Sequence, residues 1–110
     1  MVVVKDQLDP DLRKIIKKQK AVIIPVGSIE QHGPHLPVST DSDIVSEVAR
    51  RVSEKCNFLL LPTISYGVSF EHVPFFNLSL KRQTLEQLLI DICLSLSSND
   101  INSIFILNGH

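Results

Sequence analysis

Apolar positions along the chain fall into two alternating patterns, one with helical spacing and one continuous. Leu12, Ile15 and Ile16 share one helical face, with Lys14, Lys17, Lys18 and Lys20 around it. Asp9 and Pro10 supply an N-cap and a first-turn proline, where the missing N–H costs nothing. The run Ala21–Val26 is apolar and largely β-branched, is stopped by Pro25 and Gly27, and predicts a buried strand. Ile44, Val45, Val48, Ala49 and Val52 then recur at helical spacing and predict a crossover helix closing near Cys56 and Asn57. Phe58–Leu61, closed by Pro62, predicts a second strand. Leu85, Leu88, Leu89, Ile92, Cys93 and Leu96 form the clearest amphipathic stripe, expected to pack in the core, with Thr84 and Gln87 as a capping box. Ser103–Leu107 predicts a third strand, and no internal repeat is present.

Strands alternating with helices predict right-handed crossovers and an α/β fold, a mainly parallel sheet covered on both faces. In such sheets ligands bind beyond the carboxyl ends of the strands. The polar residues of this chain gather there: Glu30 and His32 after the first strand, Glu71 and His72 after the second, His110 after the third. The long irregular stretch from Thr63 to about Arg82 also follows a strand end, and connections of that length are usually functional. Three converging segments predict one site.

Composition narrows the class. A chain of 110 residues is one domain or part of one, and 44% hydrophobic with 21% charged residues is an ordinary soluble balance. The formal charge of −1 gives no basic footprint for a phosphate backbone, so nucleic acid is not an expected partner. Cys56 and Cys93 are too few for a disulfide scaffold and fall on apolar helical positions, which predicts reduced core residues. No apolar run approaches the roughly 18 residues of a membrane span, and no signal peptide is expected, so no membrane partner is expected and the cytoplasm is the expected address.

The segment Pro25–Asp41, PVGSIEQHGPHLPVSTD, carries the most chemistry. In an extended stretch residues two apart point to the same side, which lets Glu30 and His32 approach one ion together, through a carboxylate oxygen and an imidazole. Asp41 offers a carboxylate able to share its two oxygens between ions, as a two-metal hydrolytic site requires at a separation of roughly 3.5–4 Å. Zn, Mn or another divalent ion suits this ligand chemistry.

Three motifs make the chain resemble the creatininase (creatinine amidohydrolase) family of metal-dependent amidohydrolases. They are GSIEQHGPHLPVSTD at Gly27–Asp41, PTISYGVSFEH at Pro62–His72 and ILNGH at Ile106–His110, in family order and at about the family's intervals. The resemblance implies a three-layer α/β/α sandwich with a binuclear metal centre that activates water against a non-peptide or cyclic C–N amide bond. It implies Glu30, His32, Asp41 and His110 as metal ligands, with Asp41 as the bridge, and leaves Asp43 as an early helical residue favoured by the helix dipole. The leaving nitrogen needs an acid, for which Glu71, His72 and His35 are available, the first two being the chosen catalytic candidates. Tyr66 and Ser69 are candidates to hydrogen-bond a small-molecule amide substrate. The resemblance also implies a homo-oligomer.

The chain departs from the family in two respects. Members run to more than twice this length and continue past the NGH motif to a further ligand carboxylate, so the chain reads as a single domain over 1–110 corresponding to the N-terminal half of the family fold. The segment PFFNLSL after His72 is about one residue shorter than the family's equivalent and lacks its glycine. A competing expectation is a non-catalytic α/β module that persists by burying its apolar edges in an oligomer. A peptide-cleaving or formyl-removing activity within the same family is compatible with the same residues.

Overall fold

Ala21–Val26 forms β2, and every residue of it beyond Ala21 is buried, as expected of a central strand with helices on both faces. A computed structural model describes residues 1–110. Ahead of β2 lie β1 (Val2–Val3), a 3-10 turn at Val4–Asp6 and α1 (Asp9–Ile16). After it come β3 (Ile29–Glu30), α2 (Thr40–Cys56), β4 (Leu59–Leu60), a 3-10 turn at Phe70–His72, β5 (Asn77–Leu78), α3 (Arg82–Ser98) and β6 (Ser103–Asn108). No helix is long and apolar enough to cross a membrane.

The main sheet has the order β1-β4-β2-β6 and is parallel throughout. Val22 pairs with Leu59 on one side and with Ile104 on the other, and the β2–β6 pairing runs from Ala21–Ser103 to Val26–Asn108. The crossovers from β1 to β2 and from β4 to β6 run in one sense across the sheet, whereas that from β2 to β4 runs back. With right-handed crossovers, α1 and α3 therefore share one face and α2 covers the other. The core cluster of the first face joins Ile16, Val22, Leu59 and Ile101, with Leu12, Ile15, Leu96 and Ile104 packed around it. Each such aliphatic side chain contributes about 1.5–3 kcal/mol when fully buried. On the other face Val45 and Ala49 of α2 are buried, and Ser53 Oγ closes the helix by donating to the Phe58 carbonyl at 2.5 Å.

Several expectations are corrected in detail. The sheet has four strands rather than three, because Val2–Val3 pairs with β4 at its edge. The second strand shrinks to Leu59–Leu60, and α1 begins at Asp9 with Leu8 at the capping position, one residue earlier than expected. The capping box at Thr84 does not form: α3 starts at Arg82, and Gln87 donates to Asp91 instead. Cys56 is exposed and Cys93 only half-buried, so neither is a core residue. The Leu85–Leu96 stripe is the half-covered side of α3, a helix in which no residue is fully buried.

The loop between β4 and α3 is ordered by a small second sheet. β3 pairs antiparallel with β5, setting Ile29 opposite Leu78 and Glu30 opposite Asn77. The Gln31 N–H donates to the Phe76 carbonyl at 2.7 Å, and the Leu80 N–H to the Gly67 carbonyl at 2.8 Å. This pairing carries Phe70–His72 over Glu30, at the carboxyl end of β2.

Candidate metal centre

Two glycines let the backbone close around the site. A Cβ on Gly27 would meet the Ser42 Cα at 2.5 Å, so only glycine lets the end of β2 press against the first turn of α2. A Cβ on Gly109 would lie 2.6 Å from the Val45 Cβ and 2.9 Å from the Asp41 carbonyl oxygen. The Gly109 N–H donates to the Val26 carbonyl at 2.8 Å, continuing the β2–β6 ladder. The Asn108 side chain accepts from the His110 N–H and donates to the His110 carbonyl. His110 is thereby delivered to the start of α2, where Asp41 sits in the first helical turn and the helix dipole favours its negative charge.

Asp41 is the hub. Its Oδ1 lies 3.0 Å from His32 Nε2, and its Oδ2 lies 3.1 Å from His110 Nδ1. Ser28 Oγ donates to Oδ2 at 2.8 Å. Each imidazole is held from behind by a backbone carbonyl: His32 Nδ1 donates to the Glu30 carbonyl at 3.1 Å and His110 Nε2 to the Val68 carbonyl at 2.8 Å. That is how metal-binding histidines are commonly oriented, with one ring nitrogen spent on a carbonyl and the other left for the ion.

Glu30 completes the inner group. It is only 2% exposed, and its Oε1 lies 2.9 Å from His110 Nδ1. Its Oε2 is buried and accepts no hydrogen bond, although His72 Nε2 stands 3.1 Å away off the hydrogen-bonding line. A buried carboxylate oxygen without a donor is costly unless a cation satisfies it. Two sets of donor atoms lie within 4.8 Å of one another, Glu30 with His32 and Asp41, and Glu30 with Glu71 and His110. Hard oxygens mixed with imidazole nitrogens fit a divalent ion such as Zn or Mn.

The titration of these groups follows from their contacts. Burial pushes the Asp41 carboxyl up, but the Ser28 hydroxyl together with Glu30, His110 and His32 outweighs it and holds the group below its ordinary value. His32 is raised, chiefly by its bond to the Glu30 carbonyl and, against the effect of burial, by the Asp41 charge. Burial depresses His110, and the Val68 carbonyl with Asp41, Glu30 and Glu71 more than reverses it. Each of the two imidazoles therefore holds its proton more firmly than a free histidine does.

The remaining expected residues are placed less uniformly. Glu71 is exposed, with Oε1 3.2 Å from His110 Nε2 and 3.8 Å from His72 Nε2. His72 is half-buried between Glu30 and Gln31. Ser69 is fully buried; its N–H donates to Ser79 Oγ at 3.2 Å and its own Oγ has no partner, an uncommitted hydroxyl one residue from the Val68 carbonyl. Tyr66 is 52% exposed and makes no hydrogen bond to the cluster, and His35 is exposed. Asp43 is exposed and accepts from Ser39 Oγ at 2.7 Å, away from the hub. The pattern of residue types does not single out Ser28 or Gln31, whose side chains meet their partners 13 and 41 residues away.

The family model described as creatininase, creatinine amidohydrolase, matches residues 6–110. The mycofactocin precursor peptide peptidase of Mycobacterium tuberculosis is 37% identical over 101 residues, covering 82% of this chain and 40% of the relative. The creatinine amidohydrolase of Pseudomonas putida is 30% identical over 96 residues, covering 81% of this chain and 36% of that protein. A crystal structure of creatinine amidohydrolase superposes with a TM-score of 0.91 at 28% identity, over 99% of this chain and 45% of the other. A manganese creatininase gives a TM-score of 0.91 at 27% identity, again over 99% and 45%, and a mutant creatininase of Zn–Zn type gives 0.90 at 26%, over 98% and 45%. The chain thus spans less than half the length of these relatives.

Proposed function

The chain belongs to the creatininase family, and from that premise we propose that it serves a metal-dependent amidohydrolase that cleaves a non-peptide or cyclic C–N amide bond in a small molecule. The observation that carries this reading is Asp41, whose two carboxylate oxygens each face a different imidazole, the arrangement a carboxylate shared between two ions needs. When bound, divalent ions supply Lewis acidity, lowering the pKa of a water and polarising the amide carbonyl.

The chain's own residues do the rest. Glu30, His32, Asp41 and His110 would hold the ions. The Glu30 and Val68 carbonyls fix the two imidazoles, and Ser28 fixes the Asp41 carboxylate, so the donors need little rearrangement on loading. Tyr66 and Ser69, on the loop after β4, are the candidates to bind the substrate, Tyr66 exposed and Ser69 Oγ buried without a partner. His72 Nε2 offers a proton to the leaving nitrogen, with Glu71 Oε1 3.8 Å away to recharge it. The single domain over 1–110 is read as acting within a homo-oligomer.

A second reading has support of its own: identity is higher to the mycobacterial peptide peptidase, 37%, than to the Pseudomonas creatinine amidohydrolase, 30%. Under it the scissile bond is a peptide amide at the same centre. The deciding experiment is metal content per chain by elemental mass spectrometry on a single size-exclusion peak, followed by turnover of a cyclic amide and of short linear peptides. About two divalent ions per chain, lost in His32→Ala and Asp41→Ala, with turnover of the cyclic amide, supports the first reading. The same metal content with peptide turnover alone supports the second. A folded oligomer without metal returns the chain to a non-catalytic module.

A further inference from the structure

The three histidines of the site are not held alike. His32 and His110 each have a carbonyl behind the ring, an acceptor that takes the proton on that side and leaves the other nitrogen for an ion. His72 has an amide N–H behind it. Gln31 Nε2 stands 2.9 Å from His72 Nδ1, and Gln31 Oε1 accepts from the Gly33 N–H at 2.9 Å. A backbone N–H is only a donor, so it assigns Oε1 to that end of the amide and turns the NH2 group toward the imidazole. A donor facing Nδ1 requires a lone pair there, which places the proton of neutral His72 on Nε2.

We propose that Gln31 is a positioning residue that fixes His72 as the Nε2–H tautomer, so that His72 turns a proton rather than a lone pair toward the centre and stays outside the metal's ligand set. The assignment of His72 as the acid rests on the functional reading above; the tautomer does not. Nε2 lies 3.1 Å from Glu30 Oε2 and 3.8 Å from Glu71 Oε1, yet Glu30 Oε2 accepts no hydrogen bond. The proton is therefore near the site and not consumed by it. The relay Gly33 N–H to Gln31 to His72 does for an acid what the carbonyls do for the ligands: it selects one of two tautomers by what stands behind the ring.

The test is a long-range proton–nitrogen correlation spectrum of the metal-free 110-residue chain, labelled with nitrogen-15 and recorded above the histidine titration range. The expected result is His72 protonated on Nε2 with a lone pair on Nδ1. In Gln31→Glu a carboxylate replaces the amide donor, and His72 is expected to switch to Nδ1–H. Gln31→Met removes the donor without adding charge and is expected to give a mixture, which keeps the test open if the charged variant does not fold. An Nδ1–H His72 in the wild-type chain, or a tautomer that neither variant changes, overturns the proposal. Because the spectrum needs neither metal nor turnover, the tautomer can be read even in a chain that binds no ion or cleaves no amide. If the wild type does hold metal, His72→Gln is expected to hold the same number of ions, and loss of one ion would show His72 to be a ligand.

Discussion

His32 Nε2 lies 3.0 Å from Asp41 Oδ1, while the other nitrogen of the same ring is held by the Glu30 carbonyl. The imidazole is therefore fixed in place, and Asp41 is the group on which metal loading is expected to depend. Asp41→Asn keeps the shape of the side chain and removes its charge, and it is expected to lower divalent-ion affinity by more than about 100-fold, beyond the 10–100-fold range of outer-shell changes. Ser28→Ala removes only the hydroxyl that donates to Asp41 and is expected to fall within that range. Isothermal titration of both variants with Zn and with Mn checks the order. Equal losses would mean that Asp41 is not a direct ligand.

Gly109 couples the sheet to the site. A methyl group there would collide with Val45 and with the Asp41 carbonyl, so Gly109→Ala has to push His110 away from α2 or lift the helix from the sheet. Overpacking of this kind costs about 1–3 kcal/mol. The expected outcome is a lower midpoint in urea together with weaker metal binding, whereas Leu59→Ala, at the buried centre of the sheet, is expected to cost about 2–5 kcal/mol through cavity formation. Denaturation and metal titration on the same samples separate the two: stability lost without metal affinity in Gly109→Ala would sever the link to His110.

The parts of the fold that can be read in the sequence are those in which one local rule dominates. β2 matches its expected limits because an unbroken apolar run has no alternative to a buried strand, and α2 matches because its apolar spacing ends at Asn57, which adopts φ 57° as a left-handed cap. β1 escapes notice because two paired residues leave no pattern. The capping box fails because Lys81 ends an extended segment early enough for the helix to start at Arg82, ahead of Thr84. Within the site, the i,i+2 spacing of Glu30 and His32 and the nearby Asp41 bring those groups to notice. Ser28, Gln31 and the Val68 carbonyl act across 13, 41 and 42 residues, and no spacing rule reaches that far. The β3–β5 pair, which sets Glu71 and His72 over Glu30, is likewise a tertiary result of two short polar segments.

The metal-free chain is expected to be stabilised by protons that a metal would displace. His32 and His110 are raised above 6.5, so their contribution is complete below that value and is lost as pH rises through their folded values. Asp41 is lowered below 3.8, so its contribution is present above that value and is lost as pH falls through the folded one. Thermal unfolding of the metal-free chain is therefore expected at a higher temperature near pH 6 than near pH 8. Metal affinity should move the opposite way, because ligand imidazoles must be neutral. In His32→Ala the first dependence should flatten; an unchanged slope would assign it to groups outside the site.

β6 lies at one end of the sheet, a six-residue strand with no neighbour on its outer side. Phe105 and Ile106 on it remain 51% and 48% exposed, and α3 leaves Ile90 and Leu94 at 51% and 62%. A long apolar edge is a template for pairing with another strand, and soluble monomers seldom leave such surface uncovered. The chain is accordingly expected to elute as a dimer or larger species in size-exclusion chromatography with light scattering. Ile106→Lys places a charge on that edge without touching a ligand and is expected to shift the mass toward the monomer while leaving metal affinity within about twofold. A monomeric wild type would locate the expected oligomer contacts elsewhere, and a loss of metal together with the loss of mass would mean that the centre is shared between chains.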